Sequence, residues 1–240
     1  MPSQVSDIEM PYGNAKRRSP ALPFKLEDRL GLPPEVRVTV SFEEYLELAV
    51  ECEYKVEYHN GQAVSIFDYD AKTKTMSVAT YTHEVLVANI IYLLNMLFRT
   101  NLDMTVAGSN ASIFIEKGFR TYQSDVSVVD GEPNIIRYKH NKKTANVLTN
   151  PYIVVEVLSQ GTKHYDLVEK LTNYRKIDSL KQVIFIEQYY AQVITYIRQE
   201  DNHWLNIELN DVNDLLPIAN GGEIALSDIY LKVKFTNEKV

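Results

Sequence analysis

Apolar and polar positions along the chain alternate with two different periods. Over 83–99, Val87, Ile90, Ile91, Leu94, Leu97 and Phe98 recur at helical spacing, which predicts a long amphipathic helix capped by Thr82. Ser41 followed three residues later by Glu44 is a capping box and starts a short helix over 43–49. Leu167, Leu171 and Tyr174 share one stripe of a third helix over about 164–176. Elsewhere the pattern is that of strands. Tyr54-Lys55-Val56-Glu57-Tyr58-His59 and Gln62-Ala63-Val64-Ser65-Ile66-Phe67 flank Asn60-Gly61, a strong hairpin signal. Short β-rich runs follow at 104–107, 111–115 and 122–129. The nearly continuous apolar run 152–158 reads as a central strand covered on both faces. Runs at 182–187, 192–198 and 204–209 form a closing strand meander. The polar stretches 68–80 and 130–149 are predicted loops. Strands interspersed with helices favour an α/β or α+β arrangement around a mixed sheet.

Composition narrows the class. The chain has 240 residues, of which 45% are hydrophobic, enough for a core. No apolar run approaches the roughly 20 residues of a membrane span, and the first residues lack the basic and apolar regions of a secretory signal. The single Cys52 excludes an internal disulfide and any multi-cysteine zinc site within the chain. A cytoplasmic protein is the expectation. Six of the nine prolines fall in the first 34 residues, together with the basic patch Lys16-Arg17-Arg18. Residues 1–35 are therefore expected to be an extended or flexible arm, and 36–240 a single domain. The net charge of −7 gives no global attraction for nucleic acid, so any such partner must be recognised by a local site.

Four side chains carry candidate chemistry. Glu156 is a carboxylate inside the run Ile153-Val154-Val155-Glu156-Val157-Leu158. Ionised and buried, it would need a partner or a metal; at an exposed strand end it would simply be hydrated. Asp125 precedes the apolar run Val126-Ser127-Val128-Val129 and lies 31 residues before Glu156. Two carboxylates on adjacent strands, about 4.8 Å apart, can share a cation, and Mg²⁺ takes oxygen ligands. Lys170 stands four residues after Asp166. It is either half of a surface ion pair or an ammonium reaching back to the Glu156 strand, where it would orient water and stabilise developing phosphate charge. His83 shares a helical face with Val87 and Ile90, and the pattern favours a capped core histidine. The other histidines show no metal-ligand spacing. No glycine-rich phosphate loop, nucleophile elbow or zinc signature occurs.

An ordered set of segments is more specific than any of these alone. It comprises Thr82-His83-Glu84, the run from Tyr122 to Val129 with Asp125, Pro151 to Ser159 with Glu156, Tyr165-Asp166, Glu169-Lys170-Leu171, Tyr174-Arg175 and Ser179-Leu180. With Asn60-Gly61 and Leu226-Ser227-Asp228-Ile229-Tyr230, it resembles the restriction-endonuclease-like Uma-two family of the PD-(D/E)XK nuclease superfamily over about residues 38–232. The resemblance implies an α/β fold with a restriction-endonuclease-like core, a mixed central sheet flanked by helices, an extra hairpin and a strand meander. It also implies Mg²⁺-dependent cleavage of DNA, with Mn²⁺ as a substitute and 5′-phosphate and 3′-hydroxyl products. Asp125 then corresponds to the first acidic residue and Glu156 to the second, with the Val157 carbonyl as a further metal ligand. His83 matches the helix-start histidine, and Glu57 a recurrent acidic position. Two departures stand out. Ser124 replaces a proline without chemistry, and Leu158 stands where the superfamily motif has lysine, which makes Lys170 the migrated equivalent. DNA is the implied partner, no membrane is involved, and a homodimer is an open arrangement. A fold that kept its shape but lost turnover, serving in DNA binding or as an interaction partner, is the rival reading. A metal-dependent hydrolase acting on RNA or nucleotides is a third.

Overall fold

The computed structural model describes residues 22–66, 68–70, 75–77, 80–109, 112–140, 143–159 and 162–235. The basic patch Lys16-Arg17-Arg18 lies outside the described residues. The chain forms two compact units. One comprises Met1–Val78, Ser112–Gln123 and Asn134–Thr149, the other Ala79–Ala111, Ser124–Pro133 and Asn150–Val240.

The first unit is built on a seven-stranded sheet in the order Glu35–Thr39, Gln62–Ile66, Glu57–His59, Arg120–Gln123, Ser112–Ile115, Lys143–Leu148, Ile135–His140. Its Asn60-Gly61 turn has φ of 44° and 93°, the left-handed pair that a tight hairpin requires. Helix Phe42–Glu51 opens with the expected capping box: the Glu44 N–H donates to Ser41 Oγ at 3.1 Å and the Ser41 N–H to Glu44 Oε2 at 2.7 Å. The helix buries Tyr45, Leu46 and Leu48 against Val38, Val56, Tyr58, Ala63 and Val147. Ser41→Ala removes one side of the box, and thermal unfolding should show a loss of about 1 kcal/mol.

Within the stretch expected to be an arm, the described part carries a helix, Leu26–Leu30, and Arg29 is fully buried. The Arg29 guanidinium donates to Ser65 Oγ at 2.8 Å and to the carbonyls of Pro33, Pro34 and Ser65 at 2.8, 2.9 and 2.9 Å. Those bonds offset the cost of taking a charged group out of water.

The second unit has a six-stranded sheet in the order Trp204–Leu209, Val193–Arg198, Gln182–Glu187, Ile153–Leu158, Val126–Asp130, Met104–Ala107. Strand Ile153–Leu158 pairs parallel with Gln182–Glu187 and antiparallel with Val126–Asp130, and all six of its residues are buried. This is the doubly covered strand that its apolar run predicts. Helix Tyr81–Leu97 packs Leu86, Val87, Ile90 and Leu94 into one core with Val126, Val128, Ile153, Val155 and Val157. No helix among the described residues is long and apolar enough to cross a membrane.

Several local expectations change. The long helix is capped by Thr80 rather than Thr82: Thr80 has extended backbone, and its Oγ1 accepts from the His83 N–H at 3.1 Å. The single strand expected over 122–129 is two, Arg120–Gln123 in the first unit and Val126–Asp130 in the second. Both expected loops contain strands. Asp68–Asp70 pairs with Thr75–Ser77, and Ile135–His140 with Lys143–Leu148. Backbone pairing does not need apolar side chains, so a polar hairpin leaves little trace in hydropathy. The third helix is a π-helical turn, Tyr165–Lys170, running into a short α-helix, Leu171–Tyr174.

Candidate active site

The central strand brings Glu156 to the cluster. Side chains along a strand point alternately to its two faces, so Ile153, Val155 and Val157 enter the core under the long helix while Glu156 points away from it. The residues across that other face come from the π-helical turn and its continuation. Lys170 Nζ lies 3.1 Å from Glu156 Oε1, and the Tyr174 hydroxyl donates to the same oxygen at 2.6 Å. Lys170 also pairs with Asp166 Oδ1 at 3.0 Å, and Thr162 Oγ1 donates to Asp166 Oδ2 at 2.7 Å. Glu156, Asp166, Lys170 and Tyr174 are all buried. Lys170 is thus no surface half of a helical ion pair; its ammonium sits between two carboxylates in the interior.

Asp125 is brought in by the neighbouring strand. The antiparallel register pairs Val155 with Val126, and Asp125 is the residue just before that pair, at the entry to the strand. The Asp125 N–H donates to the Val155 carbonyl at 3.2 Å, and Asp125 Oδ2 accepts from the Val157 N–H at 2.8 Å. Carbonyls two residues apart face the same strand edge, so the Val157 carbonyl lies on the edge where Val155 meets Asp125. The third contact to Asp125 is His83, whose Nε2 is 3.2 Å from Oδ2. His83 stands in the first turn of the long helix, and its Nδ1 is 3.5 Å from Glu84 Oε1. It is therefore a polar contact of the acidic pair rather than a core histidine alone. Glu57 belongs to the first unit, where its Oε1 accepts from the Gln123 N–H at 3.2 Å and its Oε2 is 3.5 Å from His59. The cluster is built from the second unit.

Electrostatics follow from burial. Loss of hydration pushes the Glu156 carboxyl up to about 8; Lys170 opposes the rise, Asp166 and Asp125 add to it, and the Tyr174 hydrogen bond opposes it. Burial likewise raises the Asp166 carboxyl, against the pull of Lys170 and Thr162. Such carboxylates have too little positive charge around them for their degree of burial. That is the environment a cation relieves. Among the described residues no group of three or more His, Cys, Asp and Glu is set to hold a metal. Two carboxylates and a main-chain carbonyl suit Mg²⁺, which binds through one or two carboxylates and keeps waters and substrate oxygens in its remaining positions. Both hydrogen bonds to Glu156 among the described residues fall on Oε1.

A family profile described as "Putative restriction endonuclease", Uma2, matches residues 42–227. The chain belongs to the Uma2 family. The matched span includes His83, Asp125, Glu156, Lys170 and Tyr174. Two uncharacterized Synechocystis proteins are similar to this Uma2 chain. One, sll1609, is 26% identical over 71% of this chain and 87% of its own length; the other, slr1290, is 27% identical over 82% and 94%. A crystal structure of a putative nuclease of family DUF820 from Anabaena variabilis shares the fold. Its TM-score is 0.60 at 15% identity, covering 80% of this chain and 97% of that one. The α/β fold with mixed sheets and flanking helices is thereby that of the family.

Sequence reasoning singled out Asp125, Glu156, Lys170 and His83, and tertiary contacts join all four to one cluster. It passed over Asp166 and Tyr174 as cluster members, treating one as a surface partner and the other as part of an apolar stripe. Their signal was the four-residue spacing Thr162, Asp166, Lys170, Tyr174, which keeps polar groups near one side of a helix.

Proposed function

We propose that this Uma2 protein is a Mg²⁺-dependent endonuclease hydrolysing DNA phosphodiester bonds. The observation that carries the reading is the convergence of Asp125 and Glu156 beside the buried ammonium of Lys170. Asp125, Glu156 and the Val157 carbonyl would hold the cation. Bound Mg²⁺ would lower the pKa of a coordinated water and offset charge on the scissile phosphate. The chain's own groups have separate tasks. The Val157 N–H fixes the Asp125 carboxylate, and the Tyr174 hydroxyl fixes the Glu156 rotamer. Lys170, held at Glu156, presents N–H donors that align the attacking water and stabilise negative charge developing on the phosphate. His83 orients Asp125 from the helix start. Leu158 leaves no ammonium on the strand itself, and Lys170 from the following turn takes that place.

The test is incubation of purified protein with supercoiled plasmid and Mg²⁺ or Mn²⁺. Nicking that disappears with chelator supports the reading. Lys170→Met should slow cleavage about 100-fold while DNA affinity changes little, because a donor acting mainly on the transition state affects kcat more than KM. No cleavage by the unmodified protein, together with no Mn²⁺ heat in calorimetry, selects the non-catalytic module instead. Cleavage confined to single-stranded RNA selects the third reading.

A further inference from the structure

The Asp166 carboxylate has no part in the reading above, yet it is as buried as Glu156 and makes an equally short contact to Lys170. We propose that Asp166 is the positioning residue that holds the Lys170 ammonium in register beside Glu156. The proposal rests on the nuclease reading for its consequence in turnover, and on geometry for the rest.

The geometry is a single line of hydrogen bonds and ion contacts. Ser159 Oγ lies 2.9 Å from Thr162 Oγ1, which donates to Asp166 Oδ2 at 2.7 Å. Asp166 Oδ1 meets Lys170 Nζ at 3.0 Å, and Lys170 meets Glu156 at 3.1 Å. A lysine side chain loses much rotamer freedom when fixed. With Glu156 as its principal anchor, it would fold its charge fully onto that carboxylate and compete with an arriving cation. Asp166 takes a share of the ammonium, and Thr162 fixes the outer oxygen of Asp166. When a cation takes up the charge of Glu156, the ammonium meets a like charge. Asp166, which lies outside the proposed ligand pair, then keeps it in place.

The segment that carries Asp166 and Lys170 is π-helical, a geometry that concentrates at functional sites.

A purely structural ion pair would have a different signature, and a double-mutant cycle separates the two. The variants are Asp166→Asn, Lys170→Met and the combination, at pH 8, read by steady-state plasmid cleavage and by Mn²⁺ calorimetry. The expected result is that Asp166→Asn lowers kcat about 30-fold with KM within threefold, and weakens Mn²⁺ binding about tenfold. In the Lys170→Met background the same change alters neither quantity more than twofold. Thr162→Val, a milder change, should move both readouts the same way by a smaller factor, again only when Lys170 is present. It serves as the arm if Asp166→Asn does not fold. Additive losses, or a Mn²⁺ affinity of Asp166→Asn equal to that of the unmodified protein, overturn the proposal. If the unmodified protein binds Mn²⁺ but cleaves nothing, the nuclease reading falls and the calorimetric cycle alone decides the role of Asp166. If it binds no Mn²⁺, both fall.

Discussion

Asp125→Asn and Glu156→Gln are each expected to lower the rate of Mg²⁺-dependent plasmid cleavage about a thousandfold or more, with circular dichroism unchanged. The two substitutions keep shape and remove charge. Asn at 125 can still accept the Val157 N–H through its carbonyl oxygen, so the strand edge is retained. Gln at 156 can still accept from Lys170 and Tyr174. What is lost is the anionic pair that would hold the cation, and with it several kcal/mol of transition-state stabilisation; each 1.36 kcal/mol is about tenfold in rate. Mn²⁺ calorimetry on the same variants should show loss of binding in parallel. Cleavage equal to that of the unmodified protein in either variant would remove Asp125 and Glu156 from the mechanism.

Glu156→Gln should at the same time make the metal-free protein more stable at alkaline pH. The carboxyl titrates near 8 in the folded chain against 4.5 for an ordinary glutamate. Between those values the folded state holds a proton that the unfolded chain has released. Stability from this group is therefore complete below about pH 4.5 and falls as pH rises toward 8. Glutamine has no such titration. Thermal unfolding in chelator at pH 8.5 should show the variant ahead by about 1–3 kcal/mol, roughly 3–10 °C in Tm for a chain of this size. At pH 5 the gap should close. Added Mn²⁺ should raise the Tm of the unmodified protein at pH 8.5 and leave that of the variant unmoved. A gap that does not depend on pH would mean that burial does not raise the Glu156 carboxyl as described. Gains of this kind at a polar cluster are the usual sign that stability has been traded for activity.

The fold was legible in the sequence where the signal is local. The capping box of Ser41 and Glu44, the Asn60-Gly61 turn and the apolar run around Glu156 all act within a few residues, and the structure has each in its place. Expectations failed where two local signals competed or none existed. Thr80 and Thr82 are equally good caps, and only the docking of the long helix onto its core chooses between them. The run 122–129 is uniformly β-rich, so nothing local marks its division between two sheets next to Asp125. Arg29 lies in a proline-rich stretch that composition assigns to an arm. Its burial depends on carbonyls of Pro33, Pro34 and Ser65, which no periodicity can reveal.

The same division holds for the candidate site. Residue types singled out Asp125, Glu156 and Lys170 as candidates, because a carboxylate amid valines and isoleucines is costly and conspicuous in any sequence. The pattern favoured a core role for His83, and it was the resemblance of the ordered segments that pointed to the Uma2 family and gave His83 a place beside the others. Whether Lys170 meets solvent or Glu156 depended on strand pairing and on the path of a π-helical turn, contacts between segments that the chain order leaves open. Those contacts also set how deeply Glu156 is desolvated and recruited Asp166 and Tyr174, because proximity in space, unlike periodicity, is a property of the whole packed unit.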